Sequence, residues 1–158
     1  GIECQYCHFN ARRSKHAGVP SSATCGNCHM HDGNEELGIK KMDVGVDPNQ
    51  GGENDGPRPE LLKLKQYIES GEPIPWRKVH DLPDFVYFTH KRHVLAGVEC
   101  QECHGEVQDT MTVARRVGEL TMGWCLECHK DHPSVDKNYG ALAELRRAEM
   151  KDCWTCHQ

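Results

Sequence analysis

Apolar residues come in short runs along this chain, and three segments carry a pattern that predicts a regular element. In P-E-L-L-K-L-K-Q-Y-I-E-S-G, Leu61, Leu62, Leu64, Tyr67 and Ile68 recur at helical spacing. Pro59 stands where a helix would open and Gly71 just past its end, so an amphipathic helix is predicted over 59–70, with core packing as the use of its apolar face. D-F-V-Y-F at 84–88 is strand-like. Y-G-A-L-A-E-L-R-R-A-E-M-K-D-C-W-T-C-H at 139–157 reads as a helix running into a Cys-x-x-Cys-His. M-D-V-G-V-D-P-N-Q-G-G-E-N-D-G-P-R-P at 42–59 is loop by composition. The longest apolar runs fall far short of the ~20 residues that cross a bilayer.

Composition makes this pattern a problem. The chain has 158 residues, only 37% hydrophobic and 6% aromatic, with fifteen glycines and eight prolines. Ordering costs roughly 1–2 kcal/mol per residue for the backbone alone. A chain so poor in large apolar groups is either disordered or has its interior filled by something other than side chains. Ten cysteines and eleven histidines favour the second. The formal charge is −5 with both signs spread out, and no basic face with interleaved aromatics suggests nucleic acid as a partner. The sequence opens without an initiating Met or a signal peptide, so an upstream segment is expected to be removed or not represented.

All ten cysteines fall into one pattern: Cys4–Cys7–His8, Cys25–Cys28–His29, Cys100–Cys103–His104, Cys125–Cys128–His129 and Cys153–Cys156–His157, each C-x-x-C-H. This is the attachment sequence for c-type haem. Two thiols add across the two vinyl groups of one porphyrin edge, the two-residue gap spans that edge along a helical turn, and the next histidine is aimed at the iron. Zinc sites would combine the pairs four ligands at a time, with no need for a histidine after every second cysteine. A redox dithiol occurs once beside a β-α-β unit, and a disulfide framework has no reason to repeat one spacing. Five covalent haems c are therefore expected, about one per 32 residues. The fold class is mostly irregular and small α, with short helices, little or no sheet and a haem-packed core. The haem propionates make the mature protein more acidic than −5, so partners would dock through basic surfaces.

Five proximal histidines leave His16, His31, His80, His90, His93 and His132. That number nearly matches the second axial positions of five irons, which argues for six-coordinate, bis-histidine iron devoted to electron transfer rather than bond chemistry. His90 and His93, at i and i+3, share a helix face and can supply two neighbouring irons, the bland alternative being two solvated helical histidines. His80, in the Trp- and Pro-stiffened W-R-K-V-H-D-L-P, and His16 are further candidates, the alternative for His16 being a surface loop. His31 and His132 follow proximal histidines too closely to serve their own haems. Met122 is a rival ligand, otherwise packing against porphyrin. All five motifs end in His, which leaves little room for an enzyme with an open iron.

Organisation follows the motifs: a two-haem cluster over 1–31, a linker over 32–75 holding the 59–70 helix, and a three-haem cluster over 76–158. G-V-E-C-Q-E-C-H at 97–104 repeats G-I-E-C-Q-Y-C-H at 1–8, and only the second copy is preceded by F-x-H-x-x-H. An upstream F-x-H-x-x-H, and with it two further ligands, is expected before Gly1.

F-x-H-x-x-H with spaced C-x-x-C-H motifs resembles the class III multihaem cytochromes. W-R-K-V-H-D-L-P-D-F-V-Y-F-T-H-K-R-H-V, A-G-V-E-C-Q-E-C-H-G and L-T-M-G-W-C-L-E-C-H, with the two N-terminal motifs, are similar to the pentahaem cytochrome subunit of bacterial alternative complex III, over most of the chain outside 32–75. The resemblance implies distal ligands at His80, His90 and His93. It also implies a periplasmic electron wire on the inner membrane, held by a missing N-terminal segment or by partners. Those partners would be iron–sulfur/molybdopterin-like and polytopic membrane subunits on one side, and a monohaem cytochrome or oxidase on the other. A free periplasmic shuttle or a subunit of an extracellular cytochrome filament is the alternative.

Overall fold

The computed structural model describes residues 2–29, 59–110 and 113–157. His31, Met30, Met42, Met111 and the loop expected over 42–58 lie outside the described residues. Among these residues the chain forms ten short α-helices: α1 (Cys4–Cys7), α2 (Ser22–His29), α3 (Pro59–Ser70), α4 (His90–Leu95), α5 (Cys100–His104), α6 (Val107–Thr110), α7 (Met122–Asp131), α8 (Pro133–Tyr139), α9 (Ala143–Glu149) and α10 (Cys153–Cys156). Each C-x-x-C lies on one helical turn, in α1, α2, α5, α7 and α10. No described residue belongs to a β-strand. The strand-like 84–88 segment has alternating burial, yet makes only an isolated antiparallel bridge between Val86 and His157. The fold is thus small, helical and irregular, with no sheet among the described residues, as expected.

The chain divides into two compact units, Gly1–Gly18 with Arg77–Gln158, and Val19–Trp76. The first motif therefore shares a unit with the three C-terminal motifs, and the second lies in the other unit. In the smaller unit α2 packs on α3. Leu61, Leu64, Tyr67 and Ile68 of α3 are half-buried and Leu62 is exposed. Gly71 closes α3 with a left-handed φ of 72°, which costs a residue without Cβ nothing. A cleft of about 340 Å³ beside α2 is lined by Val19, Pro20, Ile74 and Trp76 among others.

In the larger unit very little is buried by polypeptide alone. Among the described residues the buried apolar side chains are Ala11, Val135 and Ala143, while Phe85, Leu145, Met122 and Trp154 stay 60–78% exposed. A part-buried guanidinium ties several elements here: Arg147 bonds Asp136 Oδ2 at 2.5 Å, Glu144 Oε1 at 3.0 Å and the Lys130 carbonyl at 2.7 Å. It joins α9 to α8 and to the end of α7. Such charge-assisted bonds fix direction where apolar mass is scarce.

The C-terminal stretch is not one helix into the fifth motif. Gly140 at φ 51° interrupts it after α8, and a 3-10 turn over Gly140–Leu142 leads into α9. α10 then starts afresh at Asp152, whose carboxylate accepts the Trp154 N–H at 2.9 Å. The local cap outweighs helical continuity, because a carboxylate at the N-cap satisfies a donor that would otherwise be orphaned.

Candidate functional site

The geometry of the larger unit centres on α4. Gly97, at φ 83°, turns the chain after α4 so that α5 follows at once. His90 and His93 project from one face of α4, and the Phe88 ring touches both, edge-on to His90 at 4.9 Å and stacked on His93 at 4.6 Å. Each then meets the histidine of a different motif. His90 and His104 have nearly parallel rings, 10° apart, with centres 6.4 Å apart; His93 and His129 are at 5.9 Å and 25°. These separations lie toward the long end of ring-stacking distances and also suit two ligands of one metal. With metal–imidazole bonds of about 2 Å, ring centres on opposite sides of one metal ion lie about 6 Å apart.

Ring protonation agrees with that geometry. Nδ1 of His90 faces the Lys15 carbonyl at 2.8 Å, Nδ1 of His93 the Thr89 carbonyl at 2.9 Å, and Nδ1 of His8 the Gly18 carbonyl at 2.7 Å. A carbonyl can only accept, so Nδ1 is the protonated nitrogen and Nε2 keeps its lone pair. Burial, followed by the neighbouring imidazoles His80, His90 and His8, brings His104 down to about 4. Burial also depresses His93, with His129, His90 and Arg92 adding to it against the Thr89 carbonyl. Both are held as neutral imidazole, the form that binds metal.

His80 stands differently. Its ring lies 4.3 Å from His104 and edge-on, beside that histidine rather than across from it. Burial first, then Arg116 and His90, lowers it. Its Nε2 is buried and makes no hydrogen bond, as are Nδ1 of His29 and of His129. A buried, orphaned imidazole nitrogen costs free energy unless a ligand takes it. His16 is exposed, its main chain bonded both ways to the Ser14 hydroxyl. His157 is flanked by Phe85 at 5.8 Å, and Met122 is an exposed first residue of α7.

Three participants escape sequence reasoning. The main chain at Ser14–Lys15 grips α4: Lys15 O accepts His90 N–H at 3.1 Å besides the ring, and Ser14 O accepts Lys91 N–H at 3.1 Å. Glu102 binds the N–H of Glu99 with Oε1 at 2.8 Å and His132 Nε2 with Oε2 at 2.7 Å. Burial works to raise that carboxyl, but the Glu99 N–H and His132 hold it below the usual range. His132 in turn uses Nδ1 at the N-cap of α8, against Ser134. Only the Glu at the third helical position of α5, a capping-box residue, was a legible signal for this link.

The residues fit covalent porphyrins. The cysteine pairs sit on single turns, none of the ten is joined in a disulfide, and large rings beside the motifs such as Phe9 and Trp154 stay exposed. Imidazoles oppose one another at metal-spanning distance. Frame and site together resemble those of multihaem c-type cytochromes, in which haem c is bound covalently through such motifs.

Comparison with known proteins is consistent with that class. Residues 86–158 match the family Cytochrome c7 and related cytochrome c. Across 163 aligned residues the chain is 32% identical to the menaquinone reductase, multiheme cytochrome c subunit, of Nitratidesulfovibrio vulgaris, covering 99% of this chain and 60% of that protein. The chain therefore spans about three-fifths of the relative's length. No helix among the described residues is long and apolar enough to cross a membrane.

Proposed function

We propose that this chain is a pentahaem electron-transfer subunit on the periplasmic side of the bacterial inner membrane. It exchanges electrons between a quinone-linked membrane complex and a redox partner in the periplasm. The observation that carries the reading is the pair of opposed histidines, His90 with His104 and His93 with His129, each α4 ring having Nδ1 committed to a carbonyl. These four would hold two irons axially. His8, His29 and His157 would hold the other three from one side, each porphyrin being fixed by its two cysteines, and His80 is the available second ligand for one of them. Bound in this way the haems supply reversible one-electron exchange. The protein's own part would be to give the irons at His90/His104 and His93/His129 two imidazoles each, leaving no site there for a small molecule, and to hold the centres at fixed spacing.

Direction divides two readings. The resemblance to alternative complex III favours electrons leaving a quinol, passing beside an iron–sulfur/molybdopterin-like subunit and reaching a monohaem cytochrome or oxidase. The relative's name, a menaquinone reductase subunit, favours the reverse flow into quinone. Matured protein with its membrane partners, mixed by stopped flow with menaquinol or with a reduced cytochrome c, distinguishes them by which donor reduces the haems at a catalytically competent rate. The carrier reading itself requires five haems by intact mass, a low-spin spectrum and no carbon monoxide adduct. A high-spin iron in the intact protein would contradict it.

A further inference from the structure

Four motifs share the larger unit: the first (Cys4–His8), third (Cys100–His104), fourth (Cys125–His129) and fifth (Cys153–His157). A thioether sulfur is held close to the porphyrin periphery, so cysteines of different motifs that lie near one another bring two porphyrin edges together. The two sulfurs of the third motif face different neighbours. Cys100 hydrogen bonds Cys4 of the first motif, and Cys103 is near enough to Cys128 and Cys125 of the fourth to feel their charge. Cys125 in turn is near enough to Cys156 of the fifth to feel its charge.

Independent contacts hold each of these junctions. Between first and third, the Lys15 and Ser14 carbonyls grip His90 and Lys91, the start of the helix that faces His104. Between third and fourth, one turn of α4 addresses both His104 and His129, and Glu102 of α5 reaches His132 at 2.7 Å just past α7. Between fourth and fifth, Arg147 takes the Lys130 carbonyl at the end of α7, and α9 leads into α10. The fifth motif is fixed again by Tyr87, whose N–H donates to the Cys156 carbonyl at 2.6 Å, two residues before Thr89 caps α4.

We infer that the redox centres of this unit stand in single file in the order first, third, fourth, fifth, with no station between first and third although the second motif intervenes in the chain. The inference rests on the haem-carrying reading above. Each hop oxidises one iron from ferrous to ferric and reduces its neighbour from ferric to ferrous, with no bond made or broken. Because electron tunnelling falls off steeply with edge separation, the third and fourth motifs are then obligatory intermediates between the first and the fifth.

The test is proton NMR of the protein matured with its haems and fully reduced, when low-spin ferrous iron is diamagnetic. Nuclear Overhauser cross-peaks between substituents of different haems report edges in contact. Cross-peaks between first and third, third and fourth, and fourth and fifth haems are expected. A first-to-fourth or first-to-fifth cross-peak, or the loss of first-to-third contacts while the other two are seen, overturns the order. A spectrum without five sets of haem resonances would instead overturn the carrier reading, and the order with it.

Discussion

An imidazole can serve iron only through a nitrogen whose lone pair is free, and the other nitrogen is usually engaged as a donor. His90 and His93 meet that condition, since their Nδ1 atoms are bound to carbonyls. His132 does not, because Glu102 holds Nε2 and Ser134 shares Nδ1. Replacing His90 or His93 by Ala should convert one iron per chain to a high-spin form that binds carbon monoxide, read by electron paramagnetic resonance and reversed by added imidazole. His132→Ala should leave every iron low-spin. It should still lower the thermal midpoint, because an N-cap worth about 1 kcal/mol is lost together with the bond to Glu102. A new high-spin signal in that variant would mean His132 ligates iron.

Elements in this chain are short, and their ends carry more of their stability than their faces do. Pro59 and Gly71 mark α3 in the sequence because each acts locally, through a fixed φ and a missing Cβ. The break before α10 was not legible, since apolar spacing across 139–157 is continuous and only the side-chain bond from Asp152 decides it. Asp152→Ala should therefore fray the fifth attachment turn, costing about 1 kcal/mol and lowering haem occupancy at that motif by mass after partial proteolysis. The α8–α9 junction adds a pH dependence. The Arg147 guanidinium hydrogen bonds Asp136 and draws its carboxyl below the usual range. A carboxyl whose folded pKa is depressed contributes stability above its unfolded value of about 3.9, and that contribution is lost as pH falls through the folded value. The thermal midpoint should fall from about pH 4 downward, and Asp136→Asn should lower the neutral-pH midpoint while flattening that acid limb.

At the scale of the whole molecule, the fold class could be read from composition, because a chain with so few large apolar residues and a cysteine pair on every motif must gain its interior from a prosthetic group. Which histidine faces which could not. Spacing says only that His90 and His93 share a face; their partners depend on where residues 10–16 and α7 come to rest, through main-chain bonds that leave no side-chain signature. The polypeptide's own buried apolar set in the larger unit, Ala11, Val135 and Ala143 among the described residues, offers only a few small and medium side chains. Burial yields roughly 25 cal/mol per Å² of apolar surface, against an ordering cost of about 1–2 kcal/mol for every residue fixed. Folding should accordingly be coupled to haem attachment, as it is to metal in small metal-dependent domains. The chain with all ten cysteines replaced by Ser should show weak helical circular dichroism, poorly dispersed amide resonances and no cooperative thermal transition, whereas the mature protein unfolds cooperatively. Single-motif variants separate the contributions. Removing the third pair, Cys100 and Cys103, should strongly destabilise the larger unit, since His104 of that motif faces His90 and Glu102 binds His132 beyond the fourth. A cooperative transition in the cysteine-free chain would mean that side chains alone suffice, and that porphyrin is cargo rather than core.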